Sequence, residues 1–167
     1  LRDEKFSTVR EKLPFEIGKS LAKIHRTQLA DLKALDQVTF SDSLEKLFQV
    51  YLSFKQPQPV FDLAFKWLEA QNLTEYGDVL VHGDFRFGNF IISENNLESI
   101  IDWELAHIGN PMEDLGWLCV RSWRFGNVEK RVGGLGDTKD LIAGYESNSD
   151  IKIEESQLDI WQLYGSL

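Results

Sequence analysis

Val79-Leu80-Val81-His82-Gly83-Asp84-Phe85-Arg86-Phe87-Gly88-Asn89-Phe90-Ile91-Ile92 is two short apolar runs enclosing a polar, glycine-containing loop. Each run reads as a buried strand, so the loop between them is pinned at both ends. Glu94-Asn95-Asn96 is a turn signal. Leu97 to Ile101 then reads as the returning strand of a β-hairpin, which brings Asp102 back toward Asn89. An acid in the loop, an amide at its end and a second acid after the hairpin suit phosphoryl transfer. That chemistry needs a carboxylate beside the attacking hydroxyl and oxygen ligands for Mg²⁺ against nucleotide phosphates. Asp84 fits the first role, and Asn89 with Asp102 the second. Two such protein ligands suffice for Mg²⁺, because phosphate oxygens and water complete its octahedron.

Outward from this stretch the chain reads as helical. Apolar spacing predicts helices over Leu13 to Leu32, over Ser43 to Phe54 with Leu44, Leu47, Phe48, Tyr51 and Leu52 on one side, and over Val60 to Ala70 with Leu63, Ala64, Trp67 and Leu68. Downstream, Met112 to Trp123 reads as a helix with Pro111 near its first turn, followed by Asp137 to Tyr145 and Glu154 to Tyr164. His25 lies on the apolar stripe of the first helix and is expected to be packed and hydrogen-bonded. Cys119, between Leu118 and Val120, is expected to be a buried, inert thiol, and His107 to lie in a loop. Gly133-Gly134-Leu135-Gly136 reads as a flexible connector, since no strand precedes it and no Lys-Ser/Thr pair follows.

With 167 residues and 43% hydrophobic content, the chain can bury the core of one domain. A formal net charge of −9, from 18 basic and 27 acidic side chains, argues against nucleic acid or an anionic membrane as partner and permits a cationic acceptor. One cysteine excludes an internal disulfide, and three scattered histidines with it offer no close-spaced zinc set. With no apolar leader and no apolar run long enough to span a bilayer, a soluble, cytoplasmic protein is expected.

His82-Gly83-Asp84-Phe85-Arg86-Phe87-Gly88-Asn89, then Ile101-Asp102-Trp103-Glu104, then Gly109-Asn110-Pro111-Met112-Glu113-Asp114-Leu115 together resemble the catalytic core of the aminoglycoside phosphotransferase and choline kinase superfamily. More narrowly, they are similar to the kinase-like domains found beside acyl-CoA dehydrogenases; Leu21-Ala22-Lys23-Ile24-His25 also looks like a helix of that family. The resemblance implies an α+β, mostly helical, protein-kinase-like C-terminal lobe with a short β-hairpin carrying the site. It implies Asp84 as the base or hydroxyl-orienting carboxylate, with His82 and Gly83 shaping the loop. Asn89 and Asp102 would hold Mg²⁺ and the nucleotide, ATP or another nucleoside triphosphate, while Glu104 could touch a second metal ion. Arg86 would offset charge on the moving phosphoryl group, and Asp114 would support the loop by hydrogen bonds. The acceptor would be a small-molecule hydroxyl, for which Arg121, Trp123 and Arg124 are candidate contacts suited to an anionic or flat group. Residues 1–167 are thus expected to be one lobe of a larger protein, without the smaller N-terminal lobe and weak or inactive in isolation. Two other classes remain open: a catalytically silent kinase-like binding module, and a metal-dependent phosphohydrolase using Asp84, His82 and Asp102.

Overall fold

The computed structural model describes residue 1 and residues 3–167. Three helices come first: α1 (Ser7–His25), α2 (Phe40–Ser53) and α3 (Pro59–Glu69). Four short strands follow, β1 (Val79–Val81), β2 (Phe90–Ile92), β3 (Leu97–Ile100) and β4 (His107–Gly109), and then α4 (Met112–Leu118), α5 (Thr138–Glu146) and α6 (Glu155–Tyr164). Among the described residues, six α-helices and two small antiparallel sheets make an α+β fold.

The predicted hairpin is β2 with β3, paired Phe90 to Ile100 and Ile91 to Ser99, with an irregularity between Ile91 and Ile92. β1 pairs antiparallel with β4, Val81 opposite His107. His107 therefore sits in a strand, not the expected loop. Its partner lies 26 positions away in the chain, so no local alternation announces the pairing.

α1 begins six residues before the predicted start and stops seven before the predicted end. Pro14 is tolerated inside it. The last α-helical bond is Arg26 N to Ala22 O; a tightening bond, Thr27 N to Ile24 O, then ends the helix, after which Gln28 is exposed and Leu29–Asp31 forms a separate 3-10 turn. α2 opens on a capping box, in which Thr39 and Asp42 exchange side-chain and backbone hydrogen bonds. On α3 the predicted apolar face is divided: Leu68 is buried and Ala64 half-buried, whereas Leu63 and Trp67 are exposed, and Phe65, which was not assigned to that face, is buried instead.

α1 and α5 pack through close backbone approach. A Cβ on Gly18 would meet the Leu141 carbonyl, and one on Gly144 would meet the Phe15 carbonyl. Leu13, Ile17, Leu21, Leu115, Leu118, Leu141 and Leu158 fill the main core with Phe85 of the loop, all with no exposed surface. The loop is thus anchored to the largest apolar cluster by its own central side chain. A second cluster, Leu44, Phe65, Leu68 and Ile160, joins α2 and α3 to α6.

Candidate active site

The loop leaves β1 with His82 fully buried. The ring Nδ1 of His82 accepts the Asp84 N–H at 3.2 Å, and Nε2 lies 3.0 Å from the Ile101 carbonyl, to which it donates. This pattern assigns the neutral Nε2–H tautomer. His82 therefore ties the loop to the residue just before Asp102, and with both ring nitrogens engaged it has no free position for acid–base work. Gly83 adopts φ +84°, where a Cβ would press on Leu105, so glycine is required there.

Asp114, at the start of α4, has no exposed surface. Its Oδ2 accepts His82 N–H at 2.8 Å, and its Oδ1 accepts Gly83 N–H at 3.0 Å. Oδ2 also meets His25 Nε2 at 3.2 Å, while His25 Nδ1 accepts from the Tyr145 hydroxyl at 2.9 Å. The packed, hydrogen-bonded His25 read from the sequence is thus the far end of a buried chain, Tyr145 to His25 to Asp114 to the loop backbone.

Asp84 is the most heavily bonded carboxylate of the loop. Arg86 Nε donates to Oδ1 at 2.9 Å and to Oδ2 at 3.0 Å, Trp117 Nε1 to Oδ1 at 2.8 Å, and Asn89 Nδ2 to Oδ2 at 2.8 Å. Burial alone would push its pKa upward. The bonds from Arg86, Trp117 and Asn89, with the Arg86 charge, outweigh it and hold the carboxyl below the ordinary aspartate value. Arg86 also lies over the Trp123 ring, 5.1 Å from its centroid.

Asn89 is buried, and its Nδ2 bonds the Asp84 carbonyl as well as the carboxylate, which leaves Oδ1 as the donor atom for an ion. Its backbone carbonyl accepts Ile101 N–H at 3.0 Å, so Asp102 follows directly on a residue bonded to Asn89. Asp102 takes φ +70° and is exposed. β3 is half-buried to exposed along its length. Among the described residues the Asp102 and Glu104 carboxylates make no hydrogen bond or ion pair, and both face solvent. An amide oxygen and a carboxylate oxygen are hard donors, the chemistry that suits Mg²⁺.

The family model described as the phosphotransferase enzyme family matches residues 2–147. The chain belongs to the phosphotransferase enzyme family. Among curated relatives, the chain is 32% identical over 122 residues to a probable acyl-CoA dehydrogenase of Arabidopsis thaliana, covering 62% of this chain and 14% of that protein. It superposes on an aminoglycoside-3'-phosphotransferase of type VIII with a TM-score of 0.71 at 11% identity, covering 94% of this chain and 60% of the other. A choline/ethanolamine kinase family protein from Mesorhizobium loti gives 0.61 at 20% identity, covering 96% and 52%. The GDP complex of an aminoglycoside 2'-phosphotransferase gives 0.71 at 15% identity, covering 95% and 52%. These solved structures share the fold; the chain spans about half of their length and a small part of the curated relative.

The segment after α4 differs from the reading of one helix to Trp123. α4 ends at Leu118 through the tightened bonds Cys119 N to Gly116 O and Val120 N to Trp117 O, Val120 turns extended, and Arg121–Arg124 forms a 3-10 turn. Of the three candidate acceptor contacts, Arg124 points inward. Its guanidinium donates to the Cys119 and Val128 carbonyls and to Gln162 Oε1, so it anchors the loop. Trp123 packs edge-on against Trp117, centroids 5.4 Å apart, at the margin of the Asp84 cluster. Arg121 is exposed. Cys119 is fully buried, and burial pushes its thiol up to about 12. The glycine segment is a tight buried turn, not a flexible connector: Gly133 and Gly134 have φ +53° and +78°, and a Cβ on Gly133 would run into the Phe87 ring. Trp117 was missed by sequence reasoning. Its three-residue spacing from Asp114 on one helix was the available signal.

Proposed function

We propose that the intact protein transfers the terminal phosphoryl group of ATP to a hydroxyl of a small molecule, and that residues 1–167 form the larger, C-terminal lobe of a two-lobe enzyme. The observation that carries this reading is the Asp84 carboxylate, held by Arg86, Trp117 and Asn89 beside an amide oxygen that remains available on Asn89. The acceptor hydroxyl attacks the terminal phosphorus in line, the bond to the bridging oxygen breaks, the nucleoside diphosphate leaves with that oxygen, and the hydroxyl proton passes late in the step to the Asp84 carboxylate. Asp84 accepts a hydrogen bond from the acceptor hydroxyl and orients it. Held below the ordinary aspartate value, this carboxylate suits positioning of the hydroxyl better than early removal of its proton. Arg86, with a third of its side chain exposed, can turn from Asp84 toward the transferring group, which frees a carboxylate lone pair and offsets developing charge. Asn89 and Asp102 would hold Mg²⁺, and Glu104 could reach a second ion; the metal supplies charge neutralisation on the nucleotide phosphates.

Nucleotide use is supported by the phosphotransferase neighbour in complex with GDP. The phosphohydrolase alternative loses support because His82 is fully buried with both nitrogens committed. The test is transfer from γ-³²P-labelled ATP with Mg²⁺, using the intact protein and a panel of amino sugars, choline-like amines and hydroxyacyl compounds. The last are included because a relative is named as an acyl-CoA dehydrogenase. Label on a hydroxylated compound is the expected result. Release of label only as inorganic phosphate, at the same rate with and without every acceptor, would overturn the reading.

A further inference from the structure

α4 touches the catalytic loop at two points three residues apart. Asp114 accepts the backbone N–H groups of His82 and Gly83, and Trp117, on the same helix face, donates its indole N–H to Asp84 Oδ1 at 2.8 Å. The helix itself is fixed by close approach to α6, since a Cβ on Gly116 would collide with Trp161. Trp117 is held in turn by its edge contact with Trp123, and the outer side of Trp123 carries the Arg86 guanidinium. One oxygen of Asp84 thus points along a donor from the fixed α4. Its other oxygen receives Asn89, and Arg86 is shared between them.

We propose that Trp117 is a positioning residue of this phosphotransferase: its indole N–H sets the rotation of the Asp84 carboxylate, so that the oxygen left to the acceptor hydroxyl has one direction. This rests on the reading of Asp84 as the carboxylate that orients the acceptor. A phenylalanine at 117 keeps the ring against Trp123 and removes only the donor, leaving Asp84 free to rotate with Arg86.

Two measurements test it. In the 167-residue chain with ¹⁵N-labelled tryptophan, the Trp117 indole signal, assigned through its loss in Trp117→Phe, is expected downfield and should move upfield in Asp84→Ala. In the intact protein, Trp117→Phe should lower kcat for phosphoryl transfer from Mg·ATP about tenfold or more while KM for ATP stays within about twofold. An indole signal that does not respond to Asp84→Ala overturns the contact whatever the turnover. An unchanged kcat, or a change carried by KM alone, overturns the positioning role. These results differ from failure of the functional reading, in which Asp84→Asn itself would leave transfer intact.

Discussion

Replacing Asp114 with alanine removes the acceptor of three buried donors at once: His82 N–H at 2.8 Å, Gly83 N–H at 3.0 Å and His25 Nε2 at 3.2 Å. Hydrogen bonds to a charged group contribute about 1.5–3 kcal/mol each, so a simple sum gives roughly 4–9 kcal/mol. The three share one carboxylate and are not independent, and breaking a buried charged network typically costs about 3–5 kcal/mol, which sets the expected loss near 4 kcal/mol. With a urea m-value of about 2 kcal/mol/M for a chain of this size, the midpoint should fall by about 2 M. Equilibrium urea unfolding of the 167-residue chain, followed by far-UV circular dichroism and tryptophan fluorescence, measures this directly. A shift below about 0.5 M would refute the assignment of Asp114 as the buried support of the loop.

Gly133→Ala combines a strained φ of +53° with overlap on the Phe87 ring, whereas Gly77→Ala has φ +80° with open space around it. Thermal melts should show Gly133→Ala losing about 2–4 kcal/mol and Gly77→Ala about 1 kcal/mol; equal losses would contradict the packing of the glycine turn on the loop. Burial pulls the pKa of His107 down, but its contact with Glu113 at 3.2 Å and its bond to the Leu105 carbonyl prevail and raise it. A raised histidine pKa stabilises the fold below the unfolded value near 6.5 and loses that contribution as pH rises through the folded value. The stability difference between the native chain and His107→Gln should therefore be largest near about pH 6 and shrink toward about pH 8; a constant difference would show that the pair contributes no proton linkage.

The hairpin was legible because its apolar runs, polar turn and returning strand are contiguous; its register, with Phe90 opposite Ile100 and a shift between Ile91 and Ile92, was not. Helix ends were less legible. Leu29 and Leu32 continue the apolar spacing of α1, but the chain turns at Arg26, where Ile24 O captures Thr27 N–H. The pairing of β1 with β4 and the partial burial of His107 depend on contacts far apart in sequence, which periodicity does not encode. Asp84, Asn89 and Asp102 stood out as polar residues beside apolar runs, but the direction of Arg86 did not: an arginine two residues from an acid fits either a phosphate or that acid, and here it takes the acid. Trp117 went unread, since an indole on an apolar helix face shows its N–H partner only when the opposing loop is in place. Arg124 resembled a binding residue because composition cannot tell a guanidinium aimed at a ligand from one aimed at the carbonyls of Cys119 and Val128.

We propose that Asp84 acts upon the acceptor rather than upon the nucleotide. Asp84→Asn in the intact protein, assayed for transfer from Mg·ATP to its acceptor with ATP affinity measured in parallel by calorimetry, separates the two roles. A fall in kcat of about 10²–10⁴-fold with ATP affinity within about threefold is predicted. Turnover that survives the substitution, or a loss explained wholly by weaker ATP binding, would contradict it.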